Sequence, residues 1–459
     1  MDRGRRTIGV TLIVLVLMSM GSRSANAEPL PSAIVSRDAD TIAHGKRLFA
    51  QSCSPCHGQQ GVGENPATPM GGWNPQVGPV APALDGTGHA WHHEPEYLFQ
   101  TVRNGSTVQG SRMRGWRAAM SDYDILAVIA YFQSLWPPRL QEAYTHRYLH
   151  RVVREPMRPR ATGMAAPQST DLVPIGMLAS LWGPTEDMLG ARDALQALGY
   201  HQNQQVAFGW RAAEGHEDGL EAIATQLLRD GAQLLYASDL KALTAVQRVN
   251  SHTPIVFTTW YNPGVASLGE HIRGVIPAFP EGSPKSLEVL QALLPSLKRV
   301  LLPYDADDPE LMELLPALRA TASRLGITLV ERAVRTQAEA QQVIMGARKE
   351  EVDGILPVGG RWNIAGYALQ ACLQHHMPAL FSRGWMAEYG GLVSYGPSWY
   401  GLGQHTARVI ADLLRGVTPA GSPLQVSQEM ELVINLRTAQ ALGITVPPSL
   451  LSQANRVIQ

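Results

Sequence analysis

The sequence predicts two unlike domains: a small all-α domain near the N-terminus, then a larger α/β domain of two lobes. Three observations carry that reading. At 459 residues the chain is too long for one hydrophobic core. Residues 36–138 form a Gly- and Trp-rich stretch with helical patterns at both ends. From Leu172 onward, short β-rich runs alternate with amphipathic helical runs, as in parallel sheets covered by helices.

The first element is a targeting segment. Arg3, Arg5 and Arg6 make a basic head, Ile8 to Met20 an apolar run, and Ala25-Asn26-Ala27 a small-x-small cleavage pattern. The run is too short to span a hydrocarbon layer of about 30 Å. The expectation is a signal peptide over 1–27, cleavage after Ala27, residence in the periplasm and no membrane span in the mature chain. Lys plus Arg is 38 and Asp plus Glu 39, so the balance gives no support for nucleic acid as a partner. Cysteine is used three times, which leaves no room for a disulfide framework.

The next element is Cys53-Ser-Pro-Cys56-His57. Two thiols at this spacing can each join one vinyl group of a haem, and the adjacent imidazole then serves as proximal iron ligand. A zinc site would need a second ligand pair, and a redox dithiol would need a βαβ setting. The expectation is one covalent haem c held by Cys53 and Cys56, with His57 on the iron. The third thiol, Cys372, stands in an apolar helical run and reads as a small buried hydrophobe. At the far end of this stretch Ser121 and Asp124 form an acidic variant of the capping box. They open a helix with Ile125, Val128, Ile129, Phe132 and Leu135 on its apolar face.

The run Gly45-Lys-Arg-Leu48-Phe49 through His57-Gly58 closely resembles the first helix and haem site of class I cytochromes c. The resemblance implies that the first and last helices cross, with Gly45, Phe49, Val128 and Tyr131 at the contact. It implies Met113, in Arg112-Met113-Arg114-Gly115-Trp116, as the second axial ligand. Arg114 departs from the proline common there, and Met120 and Met70 are competitors. It also implies that the Pro82 carbonyl accepts the His57 Nδ1 proton, which would fix the ring and strengthen its donor atom. His89, His92 and His93 could ligate a metal or replace the methionine. The commoner reading is a partly solvated loop. A thioether ligand raises the potential relative to bis-histidine, and a closed iron shell argues for electron transfer.

Residues 139–170, basic and Pro-containing, read as a linker. In the domain at 171–459 the expected strands are Val173–Leu178, Val206–Trp210, Gln233–Tyr236, Ile255–Thr259, Val300–Tyr304, Ile327–Val334, Gly354–Val358, Ala379–Ser382 and Leu392–Tyr395. Pro277, Pro280 and Pro284 mark a division into lobe 1 (171–278 plus the C-terminal part) and lobe 2 (279–392). No catalytic motif is legible, so no enzyme activity is expected. Asp305, Asp307 and Asp308 read as a solvated strand-to-helix turn. The C-terminal run Glu431 to Leu451 with Ala454-Asn-Arg-Val-Ile458, and Gly391-Leu-Val-Ser-Tyr395-Gly-Pro397, resemble periplasmic substrate-binding proteins of an ABC-transporter family. That resemblance implies a type I periplasmic binding fold, two α/β lobes with the ligand between them.

In such sheets ligands sit beyond the carboxyl ends of the strands. Those ends carry Trp182, Ser238, Trp260, Tyr261, Asn262, Tyr304 and Trp385. The recurring aromatics suggest a flat organic ligand, with Ser238 and Asn262 as hydrogen-bonding groups. The function expected is an electron-transfer cytochrome fused to a solute-binding domain, coupling solute binding to electron transfer. The partners expected are a small molecule and a redox protein such as a periplasmic dehydrogenase or terminal oxidase. An ABC importer receptor with a permease partner and an accessory haem domain, or a ligand or redox sensor, stay open as alternatives.

Overall fold

The computed structural model describes residues 38–459 apart from 67, 75, 77, 107–110, 149–171, 181–183, 214–216, 251, 261–267, 280–281, 360 and 418–422. The expected signal peptide therefore lies outside the described residues. Among those described, no helix is long and apolar enough to cross a membrane.

The N-terminal domain is helical. Helix α1 (Ala39–Ser52) starts at Asp38, whose carboxylate accepts from Thr41 N, and runs into the short α2 (Ser54–His57). A small hairpin, β1 (Gly72–Asn74) and β2 (Gly78–Val80), precedes α3 (Pro95–Asn104) and α4 (Asp122–Ser134). The predicted cap is present: Asp124 N donates to Ser121 Oγ at 3.2 Å, and Ser121 N to Asp124 Oδ2 at 3.0 Å. Helices α1 and α4 cross closely. A Cβ added to Gly45 would lie 1.9 Å from the Ala127 carbonyl oxygen, so only glycine permits this approach. Phe49 meets Tyr131 edge-on at 5.2 Å, and His44 Nε2 bonds Asp124 Oδ1 at 2.6 Å beside the crossing.

The expected linker is corrected at its start. Residues Pro138–Tyr148 form helix α5, with Leu140, Ala143 and Tyr144 buried. Trp136 supplies the reason: its ring packs on Tyr144 at 5.1 Å, and its Nε1 donates to Leu84 O at 2.9 Å. Arg139, by contrast, is exposed.

Lobe 1 is a parallel sheet of β3 (Val173–Ala179), β4 (Val206–Ala212), β5 (Leu234–Ala237), β6 (Ile255–Thr258) and β7 (Ile272–Pro277). Helices α6 (Glu186–Ala197), α7 (Leu220–Arg229) and α8 (Leu240–Val249) connect strands. Lobe 2 follows with α9 (Lys285–Leu293), β8 (Arg299–Asp305), α10 (Pro309–Leu325), β9 (Thr328–Val334), α11 (Gln337–Met345), β10 (Gly354–Ile355), α12 (Ile364–Gln374), β11 (Leu380–Phe381), α13 (Gly384–Glu388) and β12 (Val393–Pro397). The chain then returns through α14 (Trp399–Leu414) and β13 (Leu424–Ser427), before β14 (Met430–Asn435), α15 (Leu436–Ala441), α16 (Pro448–Gln453) and β15 (Arg456–Ile458).

The sheet order in lobe 1 is β13-β7-β6-β5-β3-β4. Lobe 2 holds β10-β8-β9 and β11-β12-β14-β15, linked by a parallel bridge between Ile355 and Ala379. The C-terminal part is thus split. α14 and β13 complete lobe 1, whereas β14 and β15 extend lobe 2, and lobe 2 continues past residue 392. Among the described residues, the chain passes between the lobes after β7, at Ser398 and at 428–429. These passages are bonded together: Ala278 N donates to Ser427 O at 2.7 Å, and Ser398 N to Glu429 O at 3.1 Å.

The helical domain is rooted in lobe 2. One continuous apolar cluster runs from Phe49, Trp91, Phe132 and Tyr144 to Leu290, Tyr367, Phe381 and Tyr389. Tyr389 Oη donates to Trp91 O at 2.8 Å across that boundary. Toward lobe 1 the contact is ionic: Arg192 Nη1 of α6 donates to Glu94 at 3.1 and 3.3 Å. Glu94 is buried and Arg192 half-buried. Burial works against the Arg192 charge, but Glu94 and Asp193 outweigh it and hold the guanidinium protonated.

Candidate haem site and ligand cleft

Helix α2 places Cys53, Cys56 and His57 together, and both thiols are free. His57 Nδ1 lies 2.8 Å from the Pro82 carbonyl, as expected. That acceptor assigns the proton to Nδ1 and leaves Nε2 with its lone pair. Burial lowers the His57 pKa, partly offset by the Pro82 bond and by Glu64, so the neutral ligand form is favoured. Burial and the neighbouring Cys56 push the Cys53 thiol up to about 11. Two thiols at this spacing and a neutral, oriented imidazole are the set covalent haem needs, and the residues fit the group.

The Met113 loop is pinned on both sides. Ser106 N donates to Met113 O at 3.0 Å, Trp116 N to Val102 O at 3.0 Å, and Gly105 bridges Arg114. Gly105 has φ 92°, and a Cβ there would meet Met113 O at 2.9 Å. Arg114, the residue in the proline position, stacks its guanidinium over Trp116 at 4.3 Å. Arg112 Nη2 donates to Glu64 Oε2 at 2.5 Å, and the same oxygen accepts from Ala81 N at 3.0 Å. This clamp ties the Met113 loop to the segment that carries Pro82. Of the competitors, Met120 is buried in the helical core, and Met70 lines the cleft described next.

A cavity of about 630 Å³ opens between the lobes, within the range of small-molecule sites. Among the residues expected there, Ser238, Trp260 and Trp385 line it. Trp182, Tyr261 and Asn262 lie outside the described residues. Tyr304 is corrected. It is half-buried against the lobe 2 core, while its neighbour Asp305 lines the cavity, because successive strand residues face opposite ways. Asp307 and Asp308 line it too, and Asp305 is buried, so the turn read as solvated forms part of the cleft wall.

The Ser238 hydroxyl belongs to a buried network. It donates to Asp187 Oδ1 at 3.1 Å, while Tyr236 Oη and Thr258 Oγ1 donate to Asp187 Oδ2 at 2.7 and 2.6 Å. Burial, then the Asp187 charge, pushes the Tyr236 phenol well up, so it stays a donor.

Sequence reasoning missed that the helical domain supplies cleft residues. Met70, Trp91 and His92 line the same cavity as Ser238 and Trp385. Trp91 stands 6.0 Å from Trp385 and 4.6 Å from Tyr389 by ring centroids, and His92 stands 6.1 Å from Trp385. The Trp91-His92-His93 cluster was the available signal. Its reading as a partly solvated loop holds for half-buried His92 and is corrected for His89 and His93, which are buried.

Comparison with known proteins follows the same division. A family described as ABC transporter substrate binding protein matches residues 177–458, and one described as Cytochrome C oxidase, cbb3-type, subunit III matches 40–132. A tyrosine-binding protein of Clostridioides difficile (strain R20291) is 20% identical over 260 residues, 55% of this chain and 74% of that protein. An ABC domain from Streptococcus pneumonia in complex with L-Trp has 25% identity and a TM-score of 0.55, covering 63% of this chain and all of its own. A conserved domain protein from Vibrio cholerae O1 biovar El Tor shares the fold at 23% identity and TM-score 0.54, over 63% of this chain and all of its own.

Proposed function

The chain belongs to the ABC transporter substrate binding protein family and carries a cbb3-type cytochrome c domain ahead of that part, and from this premise we propose that it is a periplasmic electron carrier in which solute binding and electron transfer are coupled. The observation that carries the proposal is the shared cavity wall: Met70, Trp91 and His92 of the cytochrome domain face the same space as Ser238 and Trp385 of the binding lobes. Solute in that space contacts both domains at once.

When bound, haem c supplies one reversible electron. Cys53 and Cys56 would hold it through their sulfurs, and His57 and Met113 would serve as its iron ligands. Pro82 O keeps the His57 proton on Nδ1 and so leaves Nε2 as the nitrogen that would bind the iron. The Glu64–Arg112 clamp holds the Met113 loop in place. The chain acts by binding and carrying, with a periplasmic dehydrogenase as the electron-exchanging partner.

The solute is a flat aromatic small molecule, of the aromatic amino acid class. Trp91, Trp260 and Trp385 offer apolar faces for it, and Asp305, Asp307 and Asp308 offer carboxylates for an amino group. The tyrosine-binding relative and the L-Trp complex support that class. Family membership favours a second reading, delivery of the solute to an ABC permease encoded elsewhere.

Calorimetric titration of the haem-loaded protein with L-tyrosine and L-tryptophan, with L-leucine as control, tests the solute class. Stopped-flow oxidation with and without the bound solute tests coupling. Selective aromatic binding with a changed rate is expected. A saturating solute that leaves the rate untouched would reduce the proposal to transport alone, and absence of aromatic binding would remove the solute class.

A further inference from the structure

We propose that His89, His92 and His93 bind one divalent transition-metal ion of the zinc–copper class at the boundary between the cytochrome domain and the solute cavity. This inference stands apart from the solute reading. The three imidazoles each bring a ligand nitrogen, and those nitrogens all lie within 4.8 Å of one another. His89 Nδ1 and His93 Nε2 are 3.2 Å apart. Two donors at roughly 2.0–2.1 Å from a tetrahedral ion stand about 3.3 Å apart, so this pair already has the required span. The ring centroids of His92 lie 4.5 Å from His93 and 5.4 Å from His89.

The donor set selects the ion. Three imidazoles without thiolate or carboxylate suit zinc or copper(II) and not magnesium or calcium. Glu94, next in the chain, is turned away to Arg192. Rigid surroundings hold the trio. Trp91 Nε1 donates to Gly88 O at 2.6 Å, and His93 stacks on Tyr97 at 4.5 Å. His92 alone of the three lines the cavity. The side open to the cavity leaves room for a water to complete the shell.

The test is zinc titration and metal analysis of the full-length, haem-loaded protein, beside a His89→Asn/His93→Asn variant and a His92→Gln variant. The control is His201→Asn at an exposed position remote in sequence. One zinc per chain is expected in the wild type and the control, with stoichiometric retention lost in both cluster variants and the haem spectrum unaltered. Because His92 is only half-buried, His92→Gln decides the matter if the double variant fails to fold. Three results overturn the proposal: no stoichiometric zinc in the wild type, zinc retained after the cluster is altered, or a His92→Gln haem spectrum showing that the cluster serves the iron instead.

Discussion

At the scale of single residues, the haem site separates donors from the groups that orient them. Backbone bonds hold the Met113 loop, so Met113→Ala tests the proposed iron ligand without removing the loop. The reduction potential is expected to fall by on the order of 0.1 V, within the roughly 0.8 V range that axial ligands command. Potentiometric titration checks this, and an unchanged potential would pass the role to Met70 or Met120. Glu64 acts one step out. Hydrogen bonding from Arg112, then from Ala81 N, holds its carboxyl below the usual range. A depressed folded value means the clamp contributes fully above the unfolded value near pH ~4.3 and is lost as pH falls through the lower folded one. The ferric spectrum of the wild type should therefore change on acidification below about pH 4, and Glu64→Gln should remove that step.

At the scale of elements, the crossing of α1 and α4 is the tightest point of the cytochrome domain. Gly45→Val drives a side chain into the Ala127 carbonyl and is expected to cost about 1–3 kcal/mol or more. Denaturant melts followed by haem absorbance measure it, and a loss under 0.5 kcal/mol would contradict the packing described. Much at this scale was legible in the sequence. Runs such as Val206–Trp210 and Val300–Tyr304 are apolar because both faces of their sheets are covered, and they mark β4 and β8 within two residues. Strand β7 escaped notice because Arg273 and Gly274 interrupt its apolar run, although Arg273 only turns its guanidinium back to the Glu270 and Ile272 carbonyls. Strand β13 is an edge with an exposed Val426, so its pattern is diluted. The haem motif was legible because covalent attachment fixes its spacing locally. The packing of the Trp91-His92 segment was not, since its partners stand about three hundred positions away: Tyr389 bonds Trp91 O, and Trp385 faces His92.

At the scale of the whole molecule, the cytochrome domain touches both lobes in different ways. Its attachment to lobe 2 is an apolar core, whereas its attachment to lobe 1 is the Arg192–Glu94 pair. Removing Arg192 leaves Glu94 shielded without this partner, whereas removing Glu94 leaves Arg192 its bond to Asp193. A double-mutant cycle of Glu94→Gln and Arg192→Gln should give a coupling energy of about 0.5–3 kcal/mol. The same variants should shift solute affinity, because lobe 1 then moves free of the cytochrome domain. Zero coupling would mean that the two sides merely adjoin.

The shared core with lobe 2 has a consequence for how this protein could have been assembled and how it could be taken apart. A fusion that began as two beads on a string would leave each bead with a finished surface. Here Trp91, Leu140 and Tyr144 on one side and Tyr389 on the other are interior atoms of a single body. Severing the chain anywhere in 149–171 would leave two fragments that still travel together, and the excised cytochrome would carry an oily scar where its neighbour had been.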